Sequence, residues 1–460
     1  MTKIQVNDPS LGLMPNWRNV VEYIEDITYR IWEQGDLDLI KDTYSKTCPI
    51  FTLQSCCNGH DIVIKNTRHT LAIFPDRTLY PEDVLWNGDN GNGTIEQDDD
   101  DGHGNIQGYH SSHLINSKMT YHHPKNGYAT SDSDFPASSD GRQARIWVIA
   151  HCIIRNGVIV KEWLVRDNKY LYEQLGVCPK KVANKWAQMW MNELEESTSS
   201  KYYKTQTHYD WLQAEFSRVT SSQNIDLKQP FKVDLQNVFP ISEREKCSRL
   251  AQLIISKYKL VWGKEGMSSK DKFGRLLRDI YHPHARFESP QARDLVGYEE
   301  LENLYDTFIF GNEMSENVEM SIDWIILDPQ ISKNYEEFID NSNVDGSPKP
   351  YNKWIYPTSD DVNQVQYLEN EVMNHNDSTN IKGCLPESYT IAIRWTLVGS
   401  QNQLKSQEEE SKFSVPIVLL AESHLRCVGI RIKQDITVYD EVALMAQVEL
   451  GKRLRNKDMK

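Results

Sequence analysis

The clearest pattern of apolar and polar positions lies in residues 144–175, ARIWVIAHCIIRNGVIVKEWLVRDNKYLYEQL. Two apolar runs rich in β-branched residues flank Asn156-Gly157, the residue pair that best supplies the two positive φ angles of a type I′ turn. A helical pattern follows the second run. This stretch is therefore predicted to form a β-hairpin followed by a short helix, with Asp167 as the N-cap of that helix.

The two-residue turn also predicts how the hairpin strands pair. If the loop is Asn156-Gly157, Ile154 pairs with Ile159 and His151 lies opposite Glu162. A histidine and a carboxylate would then lie side by side among large apolar residues. A one-residue bulge would instead place the two groups on opposite faces. In the regular hairpin, one face is expected to carry Trp147, Ile149, His151, Glu162 and Leu164.

The first half of the chain otherwise alternates between helical and strand patterns. Asn16 precedes a predicted helix whose apolar positions share one face: Val20, Ile24, Ile27 and Ile31. A shorter helix is predicted at 37–44 and a third one after Gly59. A strand pattern then covers 109–121.

That strand raises the question of a metal site, because four histidines lie in it or just after it: His110, His113, His122 and His123. Residues three apart on a strand point to opposite faces, so His110 and His113 cannot serve one site from a regular strand. We therefore predict no metal site. No cofactor motif such as a phosphate-binding glycine loop is visible, and no cofactor is expected.

The hairpin pattern recurs near the end of the chain. His424 and Asp435 have the eleven-residue spacing of the histidine and the glutamate in the first hairpin. Upstream, in a run of matches that stay in order, Tyr281 occupies the position of Tyr44. A repeat with so long a period predicts tandem domains rather than a solenoid.

The length of the chain agrees with a duplication, since 460 residues have room for two or three domains. We expect a first domain at 16–178, a helical connector at 179–240 and a second domain at 241–455, with an insertion at 328–388. The helical spacing of 181–196 predicts that this part of the connector packs against a domain. Each domain is predicted to be α+β, with its N-terminal helices packed on a curved antiparallel sheet that encloses a pocket.

The composition of the chain argues against some classes of binding partner and predicts where the protein is located. The formal net charge of −15 argues against nucleic acid and anionic membranes, because both need a basic surface. The eight cysteines include no C-x-x-C pair, which disfavours zinc and a disulfide framework. The first residues show no signal-peptide pattern, and no run is long enough to span a membrane, so a cytoplasmic location is expected.

A resemblance to a known family is carried by three segments: IFPDRTLYPEDVLWNGD, IWVIAHCIIRNGVIVKEWLVRDNKYLYEQLG and ESHLRCVGIRIKQDITVYDEVALMAQ. They resemble SnoaL-like proteins, the polyketide-cyclase and ester-cyclase branch of the nuclear-transport-factor-two-like superfold. The resemblance covers most of both domains but neither the connector nor the insertion. It implies a cone-shaped α+β fold with a pocket inside the curled sheet, used by the cyclases for cofactor-free intramolecular aldol ring closure.

The chain departs from the cyclases at their acid/base residue. The essential aspartate of the family lies three residues before the position of Asp167, where this chain has Leu164, and the counterpart in the second half is Thr437. A histidine in the preceding strand is also implied by the resemblance, and it matches His151 and His424. The family therefore supports the fold more strongly than the reaction.

Two classes of function remain open. In the first, the first domain binds a small apolar carbonyl-bearing ligand and performs cofactor-free cyclisation, isomerisation or hydration, with His151 and Glu162 as catalytic residues. In the second, the protein is a non-catalytic ligand-binding or assembly protein with a degenerate pocket, and the same pair only stabilises the sheet. The pocket of the first domain is expected to be lined by Trp147, Ile149, Leu164, His110 and Tyr44. The equivalents in the second domain are His424, Asp435 and Tyr281.

The resemblance also implies how the domains assemble, because domains of this fold commonly pair through the outer faces of their sheets. We expect the two domains to pack as an intramolecular pseudo-dimer bridged by the helix at 181–196. A homodimer is the alternative.

Overall fold

The computed structural model describes residues 13, 16–17, 19–54, 56–88, 108–123, 135–199, 207–221, 234–235, 241–290, 293–307, 318–328, 389–400 and 416–458. Most of the predicted insertion at 328–388 lies outside the described residues. For 241–250 the structure describes the backbone but not the side chains.

The described chain consists of helices and strands in an α+β arrangement. The helices are α1 (Val20–Trp32), α2 (Leu39–Thr43), α3 (His60–Ile73), α4 (Asn168–Gln174), α5 (Pro179–Ser199), α6 (His208–Ser221), α7 (Ile241–Trp262), α8 (Lys264–Met267), α9 (Lys270–Ile280), α10 (Gly297–Glu302), α11 (Leu304–Thr307) and α12 (Glu441–Asp458). The strands are β1 (Pro49–Phe51), β2 (Cys56–Asn58), β3 (Thr78–Gly88), β4 (Gly108–Thr120), β5 (Gln143–Arg155), β6 (Val158–Arg166), β7 (Asp234–Leu235), β8 (Tyr281–Ser289), β9 (Arg293–Val296), β10 (Glu319–Asp328), β11 (Tyr389–Ser400), β12 (Pro416–Val428) and β13 (Arg431–Tyr439). None of these helices is both long and apolar enough to cross a membrane.

The strands form two sheets with the same order, apart from one added strand. The first sheet runs β2-β1-β6-β5-β4-β3, and the second runs β7-β10-β11-β12-β13-β8-β9. Neighbouring strands are antiparallel except for β1 with β6, β8 with β13 and β7 with β10, which are parallel. The α+β fold class predicted from the sequence is confirmed. We call the first sheet with α1–α4 the first domain, and the second sheet with α7–α12 the second domain.

Helix α1 covers one face of the first sheet with its apolar stripe. The side chain of Asn19 caps the helix by accepting a hydrogen bond from the Glu22 backbone N–H at 2.8 Å, three residues beyond the predicted start at Asn16. The buried stripe shares a core with Ile154 and Ile159 of the hairpin. We call this side of each sheet the helix-covered face and the opposite side the outer face. The stripe consists of Val20, Ile24, Ile27 and Ile31.

The hairpin turn forms as predicted. Both residues of Asn156-Gly157 have positive φ, 50° and 74°, and Ile154 pairs with Ile159. Asp167 caps α4, since its side chain accepts a hydrogen bond from a backbone N–H of the first turn at 3.1 Å.

A one-residue bulge in β6 changes the pairing beyond the turn. Ile153 pairs with Lys161, which leaves Val160 as the extra residue. Because the side chains of a strand alternate between faces, every position beyond the bulge exchanges its face. The predicted pairing of His151 with Glu162 is therefore wrong, and the two side chains lie on opposite faces of the sheet.

The second hairpin has the same irregularity at the matching place. Arg426 pairs with Gln434 and Cys427 with Ile432, which leaves Lys433 as the extra residue of β13. Asp435 is consequently separated from His424 in the same way.

The outer faces of the two sheets contact each other. His424 Nε2 of β12 lies 2.9 Å from Ser112 Oγ of β4, and His424 Nδ1 lies 3.4 Å from Asp83 Oδ2 of β3. At the start of α4, the Asn168 side chain donates a hydrogen bond to Asp440 Oδ2 at 2.5 Å. Both faces of β5 and of β12 are thereby covered.

Helix α5 contacts both domains. Trp190 Nε1 donates a hydrogen bond to the backbone carbonyl of Gln54 in the first domain at 3.3 Å. On the other side, Glu195 pairs with Lys457 of α12 at 3.0 Å. The helix predicted at 181–196 is thus part of a longer helix that lies against both units.

Candidate functional site

A buried carboxyl group lies on the helix-covered face of the first sheet. Glu162 of β6 is 6% exposed. The chain after α2 runs beside this strand, where the Ser45 N–H donates to the Ile159 carbonyl at 2.8 Å, and Tyr44 donates a hydrogen bond to the Glu162 carboxylate. Burial raises the pKa of Glu162 to about 7, although the Tyr44 hydrogen bond and the charge of Arg166 oppose part of the rise. Near neutral pH, Glu162 is therefore present in both protonation states.

Several groups around Glu162 are uncharged. Cys152 lies directly opposite it on β5, and burial raises the pKa of the Cys152 thiol and of the Cys48 thiol, with a further rise from the Glu162 charge. Burial also raises the pKa of Tyr44. These groups keep their protons at neutral pH and carry no charge.

Two more polar side chains reach the same face from β4. Ser111 pairs with Cys152, and His113 pairs with Ala150. Ser111 Oγ and His113 Nε2 are buried and, within the described part of the chain, have no hydrogen-bond partner. Burial, with a smaller effect from His424, lowers the pKa of His113 to about 3, so the His113 ring is neutral.

Four of the predicted site residues lie on the outer face instead: Trp147, Ile149, His151 and His110. His151 Nδ1 accepts a hydrogen bond from Arg394 Nη1 at 2.8 Å, and its Nε2 lies 3.0 Å from His110 Nδ1. The Trp163 ring stacks on His151 with 5.2 Å between ring centroids. Burial lowers the pKa of His151 well below its usual value, and Arg394 and His110 lower it further. His151 is thus neutral and enclosed between the domains, away from Glu162.

The structure brings together the remaining predicted residues of the first domain, Glu162, Leu164 and Tyr44, on the helix-covered face. The predicted separation of His110 and His113 is confirmed, and the alternation along β4 is the signal that could have placed His113 at the site. The same alternation places Ser111, two residues before His113, on the same face. Within the part of the chain that the structure describes, no group of three His, Cys, Asp or Glu side chains could hold a metal ion.

Asp435 occupies the matching position in the second domain, but its carboxylate is tied into a hydrogen-bonded network. It is 0% exposed and accepts hydrogen bonds from the Tyr281 hydroxyl at 2.5 Å and from Thr437 Oγ1 at 2.6 Å. Burial raises the pKa of Asp435 to about 7, while hydrogen bonds from Thr437, Tyr281 and Tyr258 oppose the rise. Asp435 and Tyr281 therefore lie together, whereas His424 faces the first domain.

The two interiors differ at the positions of Ser111 and His113. In the first sheet, Glu162 pairs with Cys152, and Cys152 pairs with Ser111. In the second sheet, Asp435 pairs with Leu425, and Leu425 pairs with Ile391, so Ile391 of β11 matches Ser111. Ile393, two residues further along β11, matches His113. Both isoleucines are buried. The unpartnered polar groups of the first interior are thus replaced by apolar ones in the second.

A small cavity lies where the domains meet. Its volume is about 20 Å³, which is room for about one water molecule. It is lined by 52–54 and 164–166 of the first domain together with Asn168, and by Asp440 of the second domain. Glu162 is not among its lining residues.

Comparisons with known proteins find matches among solved structures. No protein-family profile matches the chain, and no curated protein sequence matches it. TsrD from Streptomyces laurentii has 16% identity and a TM-score of 0.25, and the match covers 34% of this chain and 96% of TsrD. IdmH from Streptomyces antibioticus, provisionally assigned as a polyketide cyclase, has 17% identity, coverages of 34% and 98%, and a TM-score of 0.24.

A third solved structure is a provisionally assigned SnoaL-like polyketide cyclase from Jannaschia sp. CCS1, with 14% identity, coverages of 34% and 90%, and a TM-score of 0.25. Each match spans about a third of this chain.

Proposed function

We propose that the helix-covered interior of the first domain binds a small apolar carbonyl-bearing ligand and performs cofactor-free acid/base chemistry on it. The reaction class is cyclisation, isomerisation or hydration. The observation that carries the proposal is the buried Glu162 carboxyl, which has a pKa of about 7 beside the Tyr44 hydroxyl.

A carboxyl group with this pKa can move a proton in both directions at neutral pH. The ionised form can take a proton from the carbon next to a carbonyl, and the protonated form can return it to another atom. The hydrogen bond from Tyr44 favours the ionised form, which keeps the carboxylate usable as a base inside an apolar interior. Glu162 transfers the proton without His151, because His151 lies on the other face of the sheet.

The test is the exchange of the methyl protons of acetophenone for deuterium in D₂O, followed by proton NMR. The full-length protein should accelerate this exchange, with a rate that rises through about pH 7 as Glu162 loses its proton. Glu162→Gln should lose the acceleration by about a hundredfold or more, since glutamine cannot accept the proton. Asp435→Asn is the matched control and should leave the exchange rate unchanged. Full exchange by Glu162→Gln would contradict the proposal.

The second domain favours a different role, because its buried carboxylate is already occupied by Tyr281 and Thr437. We propose that it is a non-catalytic SnoaL-like copy that forms an intramolecular pseudo-dimer with the first domain, bridged by α5. The common strand order, the bulges at Val160 and Lys433 and the contacts between the outer faces support this proposal. Small-angle X-ray scattering should give one compact particle in solution, and two well-separated lobes would contradict it.

A further inference from the structure

Ser111 and His113 are buried polar residues that the acid/base step does not use. Ser111 is 0% exposed and His113 is 2% exposed, and Ser111 Oγ and His113 Nε2 have no hydrogen-bond partner among the residues that the structure describes. Buried polar groups are nearly always hydrogen-bonded, because an unpaired one destabilises the folded state. Two such groups close together in an apolar interior therefore point to a ligand that pairs with them.

The strand register places both groups on the same face as Glu162. Ser111 lies opposite Cys152, and Cys152 lies opposite Glu162 on the next strand. Neighbouring strands are about 5 Å apart, so about 10 Å separates the backbones that carry Ser111 and Glu162. His113 is two residues further along β4 and points to the same side. A ligand with one small ring is about long enough to span the distance between the Glu162 and Ser111 side chains.

The second domain indicates that packing alone does not require polar groups at these positions. Ile391 and Ile393 take the places of Ser111 and His113 and are fully or almost fully buried. An apolar side chain would stabilise such a position more than an unpaired polar one. The polar pair occurs in the domain whose carboxyl group is not enclosed by a set of hydroxyl donors.

We propose that Ser111 and His113 bind the carbonyl oxygen of the ligand and hold the neighbouring carbon toward Glu162. This inference rests on the proposed function of the first domain. The Ser111 hydroxyl donates one hydrogen bond, and the neutral His113 ring donates another when its proton is on Nε2. When Glu162 takes the proton, the electron pair of the broken C–H bond forms a C=C bond and the negative charge moves to the carbonyl oxygen. Donors already aimed at that oxygen stabilise this charge.

Binding of two probes of similar size, acetophenone and ethylbenzene, tests the inference, because only acetophenone has a carbonyl oxygen. Dissociation constants are measured by NMR titration for the full-length protein, Ser111→Ala and His113→Ile, the last of which introduces the residue type of Ile393. Each variant should bind acetophenone about tenfold more weakly and ethylbenzene equally well. Each should also melt at a higher temperature without ligand, since an unpaired buried polar group has been removed.

Ser423→Ala in the second domain is the matched control. Ser423 Oγ accepts a hydrogen bond from Trp395 Nε1 at 2.9 Å, so its loss should lower the melting temperature and leave acetophenone binding unchanged. Infrared spectroscopy adds an independent readout: the carbonyl stretch of bound acetophenone should lie at lower frequency in the unaltered protein than in Ser111→Ala. Unchanged acetophenone affinity in both variants, equal losses for both probes, or no acetophenone binding by the unaltered protein would overturn the inference.

Deuterium exchange separates this inference from the proposed function. If Ser111→Ala and His113→Ile weaken acetophenone binding selectively but Glu162→Gln still exchanges, the oxygen site stands and the acid/base function fails. If Glu162→Gln abolishes exchange while the two β4 variants bind and exchange normally, the function stands and the oxygen site fails.

Discussion

Glu162→Gln should remove one pH-dependent contribution to the stability of the first domain. In the unfolded chain the Glu162 carboxyl loses its proton near pH 4.5, whereas in the folded protein it keeps the proton until about pH 7. Between these values the folded state binds more protons than the unfolded state, so the free energy of unfolding falls as the pH rises. The contribution is fully present below about pH 4.5 and is lost as the pH passes through about 7. Glutamine does not ionise, so in the variant this residue causes no fall in the free energy of unfolding as the pH rises.

The size of the effect follows from the pKa. A rise from 4.5 to about 7 corresponds to about 3 kcal/mol. Glu162 is almost fully buried, so solvent screens little of this energy. The free energy of unfolding of the variant minus that of the unaltered protein should therefore increase by about 3 kcal/mol between about pH 4.5 and pH 8. Glutamine keeps an oxygen that can accept the Tyr44 hydrogen bond, so most of the change should depend on pH.

The assay is urea unfolding at a series of pH values, followed by circular dichroism and tryptophan fluorescence. Subtracting the unaltered protein at each pH removes the contributions of the other titrating groups. Glu173→Gln, an exposed position of α4, controls for the loss of one carboxyl group. If the difference in the free energy of unfolding between the variant and the unaltered protein does not change with pH, the reasoning is refuted. Glu162 would then have the same pKa in the folded and unfolded states, and the raised pKa proposed for the base would not exist.

Three further predictions concern the network, the contact between the domains and the turn. Asp435→Ala should lower the free energy of unfolding by about 3 kcal/mol, measured by urea unfolding, because the Tyr281 and Thr437 hydroxyls lose a buried acceptor; a change below about 1 kcal/mol would contradict this. The folded pKa of His151 lies well below 6.5, so stability is lost as the pH falls and the unfolded state takes up the proton. His151→Phe should therefore reduce the drop in melting temperature between about pH 7 and pH 5, and an unchanged drop would contradict this prediction. Gly157→Ala should cost about 1 kcal/mol in urea unfolding because Gly157 has a φ of 74°, and a neutral result would argue against the turn.

The sequence by itself determined the features that depend on a few neighbouring residues. Asn156-Gly157 predicts the turn because these residues tolerate positive φ, and the turn determines its first cross-strand pair. Asp167 was predictable as an N-cap because its short carboxylate reaches the backbone N–H group three residues on. The apolar stripe of α1 and the alternating strands likewise led to the α+β fold class.

Only the tertiary structure decided which side chains share the site. The bulge at Val160 adds one residue without changing the apolar character of the strand, and it separates His151 from Glu162. The alternation of polar and apolar residues could not reveal it, because helices cover one face of β5 and the second domain covers the other, so both faces are largely apolar. The roles of Ser111 and His113 also depend on the tertiary structure. A serine or histidine in a strand pattern gives no sign of being buried without a hydrogen-bond partner until the packing around it is known.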